Sequence, residues 1–456
     1  MPRNPDHVPT LLVRNIHTLA TMDDARRELR NAAIYVRDNA IVAVGNLSDM
    51  PSTTADLVIN AHRHVVLPGL VNTHHHLFQT LTRALAQDAD LFTWLRTLYP
   101  VWARLTADAA YISAKVGMAE LMLSGCTTTS DHLYIFPNDV RLDDTIRAGH
   151  EMGMRFHATR GAMSVGASGG GLPPDALVER EDTILADTRR VIESFHDPGR
   201  FAMTRIAVAP CSPFSVSREL MRDSAALARS YGVGLHTHLA ENDHDIAYSL
   251  ERFGCRPGDY AESVGWTGPD VWHAHCVKLD DTEIERFAAT HTGVCHCPGS
   301  NLRLASGRAR LAHMRTAGLR VGIGVDGSAS NDASNLLAEA RLALLLSRIA
   351  GDAAALSARD ALELATLGGA SALNRDDIGA IAPGKAADFI GYSIDTPTFA
   401  GAQHDPIAAL LLCAPAGVDF SVIDGALRVS DGHLVGVDLP MLLERHNTLS
   451  RQLLAG

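Results

Sequence analysis

With 456 residues, 46% of them hydrophobic and 20% charged, the chain can bury a large core, enough for one big barrel with an appendage or for two domains. A net charge of −12 without a Lys/Arg-rich run argues against a nucleic-acid polymer as partner, since such binding relies on phosphate neutralisation, and favours a small-molecule ligand. No segment approaches the apolar run of about 18 residues that a membrane span needs, and Met1 to Thr10 lacks the apolar core of a signal peptide. Seven cysteines without a framework spacing read as reduced thiols, so a cytoplasmic protein with no membrane partner is expected.

In chain order, residues 11 to 62 hold short alternating strands around a hairpin-like Asp38-Asn39 turn in AIYVRDNAIVAV. From Val65 to Ser330 a short apolar run followed by polar residues and an amphipathic stretch recurs. The runs are Val65 to Val71, Cys126 to Ser130, Met154 to Thr159, Ile206 to Ala209, Val233 to Thr237, Val271 to Ala274, Gly293 to His296 and Val321 to Val325. Helical stretches lie between them, such as Ala109 to Ser124 stopped by Gly125, and Arg218 to Tyr231 stopped by Gly232. Eight units with continuous rather than alternating apolar strands predict an α/β fold of the TIM type, a (β/α)8 barrel. Residues 387 to 438 return to β-meander sequence, ADFIGYSI and ALRVSDGHLVGV, with Asp431-Gly432 as a type I′ turn, and Leu439 to Leu454 reads as a terminal helix. The expected division is therefore 1–63 as the first part of a small β-sandwich built from both chain ends, 64–376 as the barrel, and 377–456 as the second part with the C-terminal helix.

The stretch PGLVNTHHHLFQTLTRAL, Pro68 to Leu85, carries three consecutive histidines far from either end, which excludes a tag. Alternation along a strand puts His74 and His76 on one face and His75 on the other, where it serves as scaffold. A TIM barrel brings the C-terminal strand ends to one mouth. Strand five ends in HTHLAEN, giving His236, His238 and Glu241; strand six in HAHC, giving His273 and His275; strand eight in GVDGSASND, giving Asp326. Three or four nitrogens plus a carboxylate make a transition-metal set with room for water, as a catalytic site requires. Two other motifs read as decoys. Gly166-Ala167-Ser168-Gly169-Gly170 formally matches a nucleophile elbow but sits among further glycines, as a loop near the mouth. Cys276, Cys295 and Cys297 follow apolar β residues and read as buried thiols.

PGLVNTHHH, HLAEN, AHCV and GVDGSASN, in this order, resemble the amidohydrolase superfamily in its mononuclear deaminase and chlorohydrolase branch, and IAPGKAADFI at 381 to 390 looks like that family's return into the sandwich. The resemblance spans essentially the whole chain. It implies a metal held by His74, His76, His238 and Asp326 with a water. One divalent ion is implied, because APCSPFS after strand four lacks the lysine of binuclear relatives. Zinc is favoured, with iron or manganese as alternatives. It further implies Glu241 as proton shuttle, His275 polarising the water or stabilising developing charge, and Asp326 accepting the water's proton. Within the branch, HHHLFQTLTRALAQDADLFTWLRTLYPVWARL is similar to the 8-oxoguanine deaminases. Gln79 and Trp94 match positions that contact the base in guanine deaminases, while Cys211 replaces an arginine that grips it there. The implied reaction is deamination of 8-oxoguanine to urate, with s-triazine hydrolysis and guanine deamination as alternatives, imidazolone-type ring opening behind them, and a non-catalytic assembly protein ranked lowest. A homo-oligomer is expected, as for many large cytoplasmic enzymes.

Overall fold

The computed structural model describes residues 8–415 and 417–455. The chain opens with β1 (Thr10–Ala20), β2 (Glu28–Arg37), β3 (Ala40–Gly45), β4 (Leu57–Asn60) and β5 (His64–Pro68). β2 and β3 meet through the two-residue turn at Asp38, whose φ of 56° is the left-handed conformation that such a turn demands. Eight parallel strands follow: β6 (Leu70–Asn72), β7 (Cys126–Leu133), β8 (Arg155–Ala162), β9 (Thr204–Pro210), β10 (Gly234–Leu239), β11 (Val271–His275), β12 (Gly293–His296) and β13 (Arg320–Ile323). They close into a barrel where Ile323 pairs with Asn72. The chain ends with β14 (Phe389–Ser393), β15 (Phe420–Ile423), β16 (Ala426–Ser430), β17 (His433–Leu434) and the helix Leu439–Ala455. The turn between β16 and β17 has both central residues left-handed, Asp431 at 50° and Gly432 at 74°, as a type I′ turn requires.

The two ends of the chain build one nine-stranded sheet, joined where β5 runs antiparallel to β14 from His64 opposite Ser393 to Pro68 opposite Phe389. Leu11, Val13, Ile34 and Val66 from the first end share an apolar cluster with Phe389 and Val422 from the second. The run read as one strand, Val65 to Val71, divides at Gly69. Its first half belongs to this end sheet and its second half is barrel strand β6. A Cβ at Gly69 would lie 2.0 Å from Thr127 Oγ1, so only glycine lets the chain pass from one sheet to the other there.

Arg155 on β8 ties the two parts together. Its fully buried guanidinium meets Asp388 at 2.8 and 3.0 Å and Asp424 at 3.2 Å, on either flank of the segment that returns to the end sheet. The terminal helix lies against the helix Ala107–Ser124 and braces the 77–82 loop: His446 Nε2 sits 2.8 Å from Thr80 Oγ1, and Ser450 donates to the Leu81 carbonyl at 2.7 Å. Among the described residues no helix is long and apolar enough to cross a membrane.

Candidate active site

At the C-terminal mouth of the barrel His74, His76, His238 and Asp326 converge. His76 Nε2 lies 3.1 Å from His238 Nε2, and Asp326 Oδ1 is 3.2 Å from His74 Nε2 and 3.3 Å from His76 Nε2. The tautomers follow from the outer partners. His76 Nδ1 faces the His132 carbonyl at 2.7 Å, and His238 Nδ1 faces the Cys211 carbonyl at 2.6 Å. A carbonyl only accepts, so each Nδ1 carries the proton and each Nε2 presents a lone pair. His236 Nδ1 likewise donates to the Trp272 carbonyl at 2.8 Å, its Nε2 then accepts from His74 Nδ1 at 2.8 Å, and His74 Nε2 is left bare. Burial, the largest influence on each, pushes His74, His76 and His238 below the ordinary imidazole range, so all three are neutral. Three lone pairs and a carboxylate oxygen directed at one another repel unless a cation sits among them. The donor set therefore fits a divalent metal ion, and the backbone carbonyls behind it supply the outer contacts that fix ligand orientation.

His132 joins this cluster, which the sequence reading missed. β7 runs to Leu133, three residues past the expected Ser130 end, and so carries His132 into the mouth. Its ring stacks on His238 at 4.8 Å, and its Nε2 donates to the Ala209 carbonyl at 2.8 Å. His132 Nδ1 is left buried without a partner, within reach of the same centre as His74, His76 and His238.

Beside the cradle stands an acid–base pair. Glu241 Oε2 lies 3.5 Å from His275 Nε2, which is 3.9 Å from Asp326 Oδ2. Burial pushes the Glu241 carboxyl up to about 7, an effect that the facing His275 only partly offsets. Burial alone would lower His275, but the carboxylates of Glu241 and Asp326 outweigh it and raise the ring above its ordinary value. Three residues absent from the sequence reading hold this pair: Asn301 Oδ1 accepts from His275 Nδ1 at 3.0 Å, Ser306 donates to Glu241 Oε1 at 3.1 Å, and Asp245 accepts the Glu241 amide at 2.8 Å. His275 and Asp326 have φ of 71° and 63°, a conformation that L-residues adopt at a cost and that aims both side chains into the mouth.

Above these groups opens a cavity with about 440 Å³ of space that is continuous with solvent. Gln79 forms part of its wall with a fully buried carboxamide in which neither polar atom has a partner. A buried amide left unsatisfied is costly, so Gln79 is poised for a ligand with adjacent donor and acceptor. Trp94 lines the same cavity, its Nε1 anchored on the Ala329 carbonyl at 2.8 Å. Cys211 also faces the cavity, its thiol pushed up to about 12 by burial and hence neutral, and its carbonyl is the group that orients His238. Tyr134, not foreseen, adds a phenol beside His76, with ring centroids 5.0 Å apart. Gly327 backs Gln79 so closely that a Cβ there would fall 1.9 Å from Gln79 Oε1. Gly327→Ala is expected to displace the carboxamide and raise KM by about tenfold or more, a loss of one or two hydrogen bonds, while the circular-dichroism spectrum is unchanged; steady-state kinetics check this.

Residues 65–423 match the Amidohydrolase family. The chain belongs to the amidohydrolase family. It is a hydrolase acting on C–N bonds. The amidohydrolase is 49% identical over 427 residues to the 8-oxoguanine deaminase of Pseudomonas aeruginosa, covering 93% of this chain and 95% of that one. It is 40% identical over 467 residues to the hydroxydechloroatrazine ethylaminohydrolase of Pseudomonas sp. (strain ADP), covering 98% and 96%. Among solved structures it is similar to the atrazine chlorohydrolase of Arthrobacter aurescens TC1 complexed with zinc, with a TM-score of 0.93, 34% identity, and 96% and 100% of the two chains covered.

The remaining motifs of the amidohydrolase lie apart from this centre. His75 points away from the cradle, its Nε2 3.0 Å from Ser334 Oγ, and His273 Nε2 donates to the Trp266 carbonyl at 3.0 Å. Ser168 forms part of a single 3-10 turn, its hydroxyl tied to Asp175 at 3.0 Å, rather than the strand-to-helix elbow of a nucleophile. Cys276, Cys295 and Cys297 are buried, the last two with sulfurs 3.6 Å apart.

Proposed function

We propose that this amidohydrolase removes the exocyclic amine of an oxopurine, converting 8-oxoguanine and water into urate and ammonia. The observation that carries the reading is the unpaired Gln79 carboxamide on the wall above the donor cradle, in a chain 49% identical to an 8-oxoguanine deaminase over 93% of its length. His74, His76, His238 and Asp326 would hold one divalent ion; zinc is favoured by the three imidazoles with one carboxylate and by the zinc-complexed structural relative, ahead of iron or manganese. When bound, such an ion lowers the pKa of a water from 15.7 towards about 7.

The chain's own groups then manage the protons. Gln79 pairs with the purine edge, and Trp94 and Tyr134 flank the ring. Glu241, whose carboxyl burial pushes up to about 7 so that the protonated form is populated at neutral pH, delivers its proton to the ring nitrogen beside the amidine carbon as the new C–O bond forms there. Asp326 takes the proton that the water gives up, and His275 polarises the water or stabilises the charge that develops. That proton passes to the amine as the C–N bond breaks and ammonia departs, while the hydroxyl left on the carbon returns its proton to the ionised Glu241 and becomes the carbonyl. The neutral Cys211 thiol offers no cation to the base, which disfavours guanine relative to its oxidised form. The test is kcat/KM on both purines and on a hydroxylated ethylamino-s-triazine. 8-Oxoguanine is expected to lead by roughly 10-fold or more; faster turnover of guanine would contradict the assignment of the pocket. A triazine in first place would support the second reading, for which the 40% identity to an ethylaminohydrolase speaks.

A further inference from the structure

The opposite mouth of the barrel holds another cavity, of about 600 Å³, that the chemistry above does not use. Its walls come from the N-terminal strand ends, with His157 on β8, Arg205 on β9, Gly234 on β10 and Trp272 on β11. His157 and Arg205 are register partners on neighbouring strands, which sets their side chains next to each other on one face.

His157 is only 4% exposed, and its Nε2 lies 3.2 Å from Arg375 Nη1. A guanidinium only donates, so Nε2 accepts and the ring proton is on Nδ1. Burial, and then the Arg375 charge, keep the ring neutral in that tautomer. Nδ1–H has no acceptor among the described residues. His196 repeats the pattern: its Nδ1 accepts the Ile206 amide at 3.1 Å, so its Nε2–H is a donor. Arg205 supplies the charge. Its Nε is buried without a partner, and its Nη2 reaches the Gly199 carbonyl only at 3.4 Å. Arg155, Arg160 and Arg375 are each matched to a carboxylate within 3 Å, as buried guanidinium groups ordinarily are. The acid that lines the cavity, Asp270, is already held by Arg229 at 2.9 Å.

We propose that this N-terminal mouth is a second binding site, for a small oxyanion of the phosphate class, gripped by Arg205 together with His157 Nδ1–H and His196 Nε2–H. A cavity offering donors and one unmatched guanidinium selects an anion with several oxygens. A barrel's N-terminal face usually serves stability alone; here Arg205, unlike Arg320 whose guanidinium is held by two carbonyls at 2.7 and 2.9 Å, has only one distant carbonyl.

The test measures the thermal midpoint of the metal-loaded full chain in inorganic phosphate and in sodium chloride at equal ionic strength. Phosphate is expected to raise the midpoint with a saturating dose dependence. Arg205→Gln is expected to weaken the apparent Kd by at least about tenfold, the equivalent of one charge-assisted hydrogen bond, and Arg205→Lys to retain part of the effect. Should Arg205→Gln fail to fold, His196→Ala at the rim is expected to weaken phosphate binding by several-fold. No phosphate-specific rise in the wild type overturns the proposal. An equal rise in wild type and Arg205→Gln overturns it as well, since the ion then binds elsewhere, the metal cradle included. A response to acetate as strong as that to phosphate overturns the phosphate class.

Discussion

Glu241→Gln is expected to lower kcat by roughly 10² to 10⁴-fold while the protein keeps its fold and its metal. Glutamine is close in size and can still accept from Ser306, which now donates to Glu241 Oε1 at 3.1 Å, so the loop is retained. What disappears is a proton that can be given away. The carboxyl stands 3.5 Å from His275 and outside the four-donor cradle, so metal content should match the wild type. Elemental analysis on the same samples as the kinetics checks both halves of this expectation. A variant with near wild-type kcat would remove Glu241 from the proton path, and one that lost its metal would make the residue part of the cradle.

Arg155→Met is expected to destabilise the fold by about 3 to 5 kcal/mol, the cost of leaving a buried carboxylate without its partner. Asp388 is nearly as buried as Arg155, and besides the guanidinium it accepts the Asp424 amide at 2.8 Å, so it has no route to water when the cation is lost. The pair joins barrel strand β8 to the segment entering β14 and the end sheet. Urea unfolding of the metal-loaded protein measures the effect, and a midpoint within error of the wild type would contradict it. Replacing both residues by apolar side chains of similar size should recover much of the loss, because no unpaired charge then remains.

Much of the barrel could be read from continuous apolar runs of the right spacing, and His74, His76, His238, Glu241, His275 and Asp326, which the fold brings together, could be singled out as candidates because each stands just past such a run. Where the reading stopped short, the reason is physical. Val65 to Val71 is apolar throughout because it serves two sheets in turn, and hydrophobicity alone carries no mark of the crossing at Gly69. His132 lay hidden because the strand-like run reads only from Cys126 to Ser130, and polar Asp131 comes next. In the fold that carboxylate is buried and accepts the Leu77 amide at 2.8 Å, so the strand continues. Asn301, Ser306 and Asp245 act on the acid–base pair from loops and short helices, where no periodicity or metal spacing distinguishes them from ordinary polar residues. The identity of the outer carbonyls, and with it the tautomer of each ligand, is set by tertiary contact and has no signature in the sequence.

The most direct test of the account is mass spectrometry of the product formed from 8-oxoguanine by zinc-loaded protein in water enriched with heavy oxygen. Urate carrying one heavy oxygen in place of the amine, with one ammonia released per urate, is the result expected of hydrolytic attack at the amidine carbon. Unchanged 8-oxoguanine alongside a protein that holds its metal would contradict the purine assignment, and a ring-opened product would contradict the chemistry itself.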